Sequence, residues 1–223
     1  MTLILEGRVT VNCKSVTEPS YNVHPSSDQV ALDGRPLSLP GKTYLLLHKP
    51  RGVTSTVRDP HAARTVLGLI PLRLREGLHP VGRLDKETTG LLLLTNDGEL
   101  THRMSHPSYE VDKTYQLVLN KEISDGDMRR IAAGMVLDGK KTLPCRVSKL
   151  APRRLEMVIH EGRKRQIRRV FELLHYRVEE LARIRQGSLA LGNLQEGQWR
   201  PLEPAEVRKL YQELHIPFRS PDS

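Results

Sequence analysis

Hydrophobic residues recur along the chain in two rhythms. Alternation with a period of two marks strands. It predicts a strand over residues 8–13 and another over 29–37, the second meeting a turn at Asp33-Gly34. A short unbroken apolar run predicts a buried strand over 44–48. Further strands are predicted over 91–95, 114–119, 145–150, 155–160 and 178–184. Along the strand at 114–119 and the residue before it, Lys113, Tyr115, Leu117 and Leu119 share one face. A period of three to four marks helices. Ser124 with Asp127 three residues on reads as a cap, and Gly134 ends that helix. Ile167, Val170, Phe171 and Leu174 mark one face of a second. Val207, Leu210, Tyr211 and Leu214 mark a third, with Pro204 in its first turn. Strands outnumber helices and do not alternate regularly with them. The prediction is an α+β domain with a mostly antiparallel sheet, not a doubly wound one.

Residues 1–41 differ from the rest. Two short strands and one turn do not fold alone. This piece either packs on the main body or is the remainder of something larger. Pro40-Gly41 reads as the boundary. A body over 42–215 follows, then a frayed tail over 216–223. At 223 residues and 38% hydrophobic, the chain is long enough to bury a core. Its longest purely apolar run, four leucines at 91–94, is too short to span a bilayer. Residues 1–6 lack a basic region and a long apolar core, so they do not read as a secretory leader. Cys13 and Cys145 form neither a metal spacing nor a disulfide framework, and read as two buried thiols in a reducing cytosol.

Charge changes the picture most. Lys and Arg number 35 against 26 acids, a net +9 with a pI near 9.8. Such an excess favours a polyanionic partner, because each neutralised phosphate releases a counterion. Aromatics at 4% exclude a surface of many stacked bases but leave room for one or two stacking positions.

Metal and nucleotide motifs are absent: no P-loop, no G-x-G-x-x-G, no clustered His/Cys set. His102 and His106 are four apart, but Pro107 ends that helix and no third ligand is evident. They read as capping or surface residues. Val81-Gly82-Arg83-Leu84-Asp85-Lys86-Glu87-Thr88-Thr89-Gly90 packs glycines, hydroxyls and charges just before a strand, where chemistry tends to sit. Three readings of it stand side by side. Asp85 and Glu87 form a general acid/base pair; or Asp85 is a lone carboxylate held ionised by arginines; or Asp85 caps a turn and Gly90 supplies a positive φ. Five of the nine residues at 161–169 are basic. Helical phase points Arg165 and Arg169 to solvent and sets Arg168 on the edge of the buried face, placed to reach a cleft and pair with a carboxylate.

The chain resembles the RsuA-type ribosomal RNA pseudouridine synthases, and looks closer to the large-subunit members than to the small-subunit ones. Lys49-Pro50-Arg51-Gly52, Gly82-Arg83-Leu84-Asp85 with Thr88-Thr89-Gly90, and Thr95-Asn96-Asp97-Gly98 carry the resemblance. So do His106-Pro107-Ser108, Lys113-Thr114-Tyr115, Glu161-Gly162-Arg163 through Arg168, and Gly197-Gln198-Trp199-Arg200. It spans residues from about 6 to about 213. No one motif is decisive; together they are highly specific.

The resemblance implies a mixed, mostly antiparallel sheet with flanking helices and a central cleft. It makes Asp85 the nucleophile, Tyr115 the residue stacked on the target uracil and Arg168 the basic partner of the aspartate. Arg83 is expected to hold or replace the flipped nucleotide, and Leu181 to line the pocket. Lys49, Arg51, Lys113, Arg163, Lys164 and Arg165 are the expected RNA contacts. The implied protein is a cytoplasmic monomer acting on ribosomal RNA without metal or cofactor, since the isomerisation oxidises nothing and loses no group. Two departures stand out. Residues 1–41 match only the second half of the family's small N-terminal RNA-binding module, without its opening helices. Gln186 stands where an apolar residue is usual before Gly187. Two other readings stay open: a non-catalytic RNA-binding ribosome-assembly protein, and a hydrolase using Asp85 with Glu87.

Overall fold

A computed structural model describes residues 1–24, 27–37, 41–57 and 64–217. The chain divides into two units, Met1–Gly41 and Lys42–Ser223.

The first unit has a one-turn helix, α1 (Thr2–Leu5), and four short strands: β1 (Val9–Val11), β2 (Lys14–Val16), β3 (Val30–Leu32) and β4 (Arg35–Pro36). They pair antiparallel in the order β2-β1-β3-β4. The strand expected over 8–13 stops at Val11. Asn12 and Cys13 both take positive φ, 50° and 65°, and turn the chain into β2. A two-residue hairpin that matches the strand twist needs this conformation at both positions. Asp33 and Gly34, at 49° and 74°, make the second such turn, as expected. Arg8 grips Asp33 with two hydrogen bonds, of 3.0 and 2.6 Å. Cys13 is exposed at its turn and Cys145 half-buried, so the expectation of two buried thiols is corrected.

The second unit is built on one large sheet. Its strands are β5 (Tyr44–Lys49), β6 (His79–Pro80), β7 (Thr89–Thr95), β8 (Lys113–Leu119), β11 (Arg146–Ala151), β12 (Arg154–Ile159), β13 (Val178–Gln186), β14 (Leu189–Ala190) and β15 (Trp199–Pro201). A separate hairpin, β9 (Val136–Leu137) with β10 (Lys140–Lys141), turns at Asp138-Gly139. The sheet runs β11-β12-β8-β13-β7-β5-β15, with β14 on β13 and β6 on β7. Of the strand pairs in this sheet, only β13–β7 is parallel among the described residues. The expected α+β architecture with a mostly antiparallel sheet is the one observed.

Helices α2 (Gly98–Ser105), α3 (Asp125–Ala132), α4 (Gln166–Glu172) and α5 (Pro204–Glu213) complete this unit. The leucine run explains how they are distributed. Leu92 and Leu94 join one core with Leu45, Leu47, Tyr115, Leu117 and Phe171 of α4. Leu91 and Leu93 join another with Leu46, Leu100 of α2 and Leu210 of α5. Successive strand residues face opposite sides. A strand covered on both faces therefore reads as a continuous apolar run. Ser124 caps α3 by accepting from Asp127 N at 3.0 Å. Ile216, placed in the tail by its sequence, is buried in the second core. Pro40 and residues 218–223 lie outside the described residues.

Candidate active site

The segment after β5 and the loop before β7 are tied together backbone to backbone. Gly52 N–H donates to Lys86 O at 2.8 Å. The Ser55 hydroxyl donates to Leu84 O at 3.0 Å and accepts from Leu84 N at 3.1 Å. Lys49 is fully buried, and its ammonium donates to the carbonyl oxygens of Pro50, Lys86 and Thr88 at 3.0, 3.3 and 2.8 Å. Asp85 therefore stands on a loop clamped on both sides of it. At the loop's end, Gly90 takes φ 107°. A Cβ there would lie 2.2 Å from the carbonyl oxygen of Arg183, so only glycine lets β7 and β13 approach this closely.

Asp85 opens into a cleft of about 630 Å³. Its walls include Arg83, Thr88, Lys113, Tyr115, Arg165, Arg168, Leu181, Arg183 and Gln186. The cleft thus brings together Asp85, Tyr115, Arg168, Arg83, Leu181, Lys113 and Lys164 from four separate stretches of sequence. Tyr115 is buried on the inner face of β8, and Leu181 is buried on the neighbouring strand β13. Arg83 and Lys164 are exposed at the rim.

Arg168 is 7% exposed, as its position on the edge of the buried face predicts. Its guanidinium donates to Val178 O at 2.8 Å and Glu87 O at 3.3 Å. It thus meets the loop through a backbone oxygen of Glu87, and no ion pair joins it to Asp85. Burial and the charge of Arg165 lower its pKa, while Glu87 and Asp85 pull the other way. Asp85 itself forms no side-chain hydrogen bond or ion pair with the described residues, which leaves its carboxylate free for a substrate.

Several positions differ from expectation. Arg165 precedes the first turn of α4 with φ 52°, so helical phase does not govern it. Rather than point to solvent, it lines the cleft and pairs with Glu87 at 2.9 Å. Burial raises the Glu87 carboxyl, but the loop backbone, the Arg165 hydrogen bond and the charges of Arg165 and Arg168 bring it below its ordinary value. Glu87 is held as a carboxylate and is poorly suited to act as a general acid. Lys49 is corrected from an RNA contact to a clamp, since its three protons are all committed. Arg163 lines the cleft and is also engaged within the protein. Its guanidinium bonds Glu161 at 3.2 Å, Lys140 O at 2.9 Å and Lys141 O at 2.7 Å, holding the β9–β10 hairpin. Arg51 lies outside the cleft, by a second hollow of about 410 Å³ shared with Glu87 and Glu196. His102 and His106 stack with each other and with Tyr109, at 5.1 to 6.3 Å.

Five buried side-chain polar atoms lack a partner among the described residues: Thr88 Oγ1, Arg168 Nε, Arg183 Nη2, Gln186 Oε1 and Ser188 Oγ. The first four belong to cleft residues. Native folds satisfy nearly all such atoms, so their concentration here marks a site shaped for an occupant.

Residues 43–173 match the family model for RNA pseudouridylate synthases. The chain belongs to the RNA pseudouridine synthase family. It is 38% identical to the ribosomal large subunit pseudouridine synthase B of Bacillus subtilis (strain 168), over 93% of this chain and 87% of that one. It is 36% identical to the ribosomal small subunit pseudouridine synthase A of Yersinia pestis, over 90% and 86%. A crystal structure of a pseudouridylate synthase superposes with a TM-score of 0.73 at 30% identity, covering 94% of this chain and 91% of that one. These relatives agree with the RsuA-type resemblance read from the motifs, and the enzyme is an RNA pseudouridine synthase. No helix among the described residues is long and apolar enough to cross a membrane.

Proposed function

We propose that this synthase converts one uridine of large-subunit ribosomal RNA to pseudouridine, acting as a cytoplasmic monomer with Asp85 as nucleophile. The observation that carries the reading is the free carboxylate of Asp85 on a clamped loop, facing Tyr115 and Arg168 across a basic cleft. The reaction breaks the bond from uracil N1 to the ribose and forms one from C5. The C5 proton is lost and N1 gains one, so the product is an isomer. The target base leaves its stack at a cost of a few kcal/mol. Stacking on Tyr115 and the cleft's cations offset that cost. Arg83, at the rim, holds the strand from which the base has turned out. Arg168 fixes the loop at Glu87 O and keeps positive charge near the attacking carboxylate of Asp85.

Ribosomal RNA as the substrate is supported by the named activities of both relatives. The preference for the large subunit is supported by the segments at 91–96 and 106–111, which look closer to large-subunit members. The test is incubation with unmodified large- and small-subunit ribosomal RNA, without added cofactor, followed by pseudouridine mapping. One new site in the large-subunit RNA is expected. A site in the small-subunit RNA alone overturns the subunit assignment, and none in either overturns the substrate.

A further inference from the structure

Beyond the residues assigned above, the cleft floor holds a cation that the isomerisation chemistry leaves unused. Arg183 on β13 is 2% exposed, and no carboxylate among the described residues pairs with it. Its Nε donates to Leu91 O at 2.8 Å. No hydrogen bond among the described residues uses either terminal nitrogen, and Nη2 is one of the unpartnered buried atoms. An uncompensated buried charge is costly enough that native folds normally pair it.

Lys113 adds a second cation to this floor. It is half-buried on β8, donating to Val111 O at 3.1 Å and forming no ion pair. Burial, then the nearby charge of Arg183, lowers its pKa against the pull of Asp112. Asp112 is itself engaged by Arg146 at 3.0 Å. Glu161, a carboxylate of the cleft wall, is engaged by Arg163. Among the described residues neither cation forms an ion pair, and the cleft's free carboxylate, Asp85, is bonded to neither.

The strand register sets their position. Arg183 lies opposite Tyr115, and Gln186 opposite Lys113. Lys113 is two residues from Tyr115 along β8, about 7 Å at strand rise. That is the span between a nucleobase and the phosphates flanking its ribose. Gln186 adds an unpartnered acceptor, Oε1, while its Nε2 faces Met104 O at 3.4 Å. An acceptor beside a phosphate site suits a ribose hydroxyl.

We propose that Arg183 and Lys113 form a phosphodiester subsite that grips the RNA backbone next to the flipped uridine. Gln186 Oε1 accepts from the adjacent 2′-hydroxyl. The subsite rests on the pseudouridine synthase reading, because it measures its distance from a base stacked on Tyr115. It is also locked to the Asp85 loop, since Arg183 pairs with Gly90 across β7 and donates to Leu91 O.

The test uses the full-length protein and RNA hairpins carrying the mapped uridine, each with one flanking phosphate replaced by a neutral methylphosphonate. With wild type, one position should raise KM roughly ten- to hundredfold, the worth of a charge-assisted contact, with kcat little changed. In Lys113→Gln the same replacement should cost under about threefold, since the contact is already lost. Arg183→Gln should behave similarly; if it does not fold, Lys113→Gln decides alone. Equal penalties in wild type and Lys113→Gln, or no sensitive flanking phosphate, overturn the subsite. Affinity for the same RNAs is titrated in parallel, so the contact is scored even without turnover. Failure of unmodified RNA to yield pseudouridine would instead strike the functional reading.

Discussion

Lys49 Nζ donates to the carbonyl oxygen of Thr88 at 2.8 Å, setting a buried ammonium beneath the loop that carries Asp85. With its bonds to Pro50 O and Lys86 O, it replaces water as the partner of three carbonyls. Lys49→Met keeps the length and orphans all three. The expected result is a fall in kcat of roughly ten- to hundredfold with KM within about threefold, because the loop moves and the RNA surface does not. Steady-state kinetics beside a thermal melt separate this from global unfolding.

The same lysine gives a pH signature. Burial lowers it to about 8, against the opposing pull of Asp85, Glu87 and Glu196, where 10.5 is usual. Between those values the unfolded chain binds more protons than the folded one, so Lys49 makes stability rise with pH through that window. Turnover moves the other way, because the neutral amine has one donor fewer for the three carbonyls. Above about pH 8, kcat is expected to decline while this contribution to Tm improves. Lys49→Met should show neither trend, and paired pH profiles check it.

Gly90→Ala forces a Cβ to within 2.2 Å of Arg183 O and holds alanine at φ 107°. Parting β7 from β13 breaks the sheet where the loop begins. The expected cost is about 3 kcal/mol or more, read as a denaturant midpoint shift. A loss below about 1 kcal/mol would mean that the two strands separate readily.

Arg165 and Arg168 are three residues apart and equal in charge, but their partners differ. Arg168→Ala leaves Glu87 O and Val178 O without their donor and should lower kcat about a hundredfold. Arg165→Ala releases only the exposed Glu87 carboxylate. It should chiefly raise KM and reduce the salt slope of RNA binding by about one. Matching kinetic profiles for the two variants would remove the distinction.

Much of this was legible in sequence because it rests on local rules. The leucines at 91–94 announce a strand covered on both faces, and Ile167, Val170 and Phe171 set the helical phase that buries Arg168. The turn at Asn12-Cys13 lacks the usual glycine, so the predicted strand ran through the turn to Cys13 and β2 went unread. Asp138-Gly139 carried a clear hairpin signal in a segment too short to stand out. The roles of Lys49 and Arg163 were hidden because carbonyls distant in sequence surround them. Arg183 was hidden differently. β13 slips register between Val178 and Glu180 and again between Arg183 and Arg185, so simple alternation does not reveal which of its charges turn inward.

The central claim is that Asp85 is the nucleophile and Glu87 is not part of the reaction. The most direct measurement is pseudouridine formation on unmodified large-subunit ribosomal RNA by wild type, Asp85→Asn and Glu87→Gln, with RNA affinity titrated alongside. Asparagine is nearly isosteric with aspartate but offers no carboxylate. The account predicts no product from Asp85→Asn at near-wild-type affinity, and turnover within about tenfold of wild type from Glu87→Gln. Substantial product from Asp85→Asn, or its loss in Glu87→Gln alone, would contradict it.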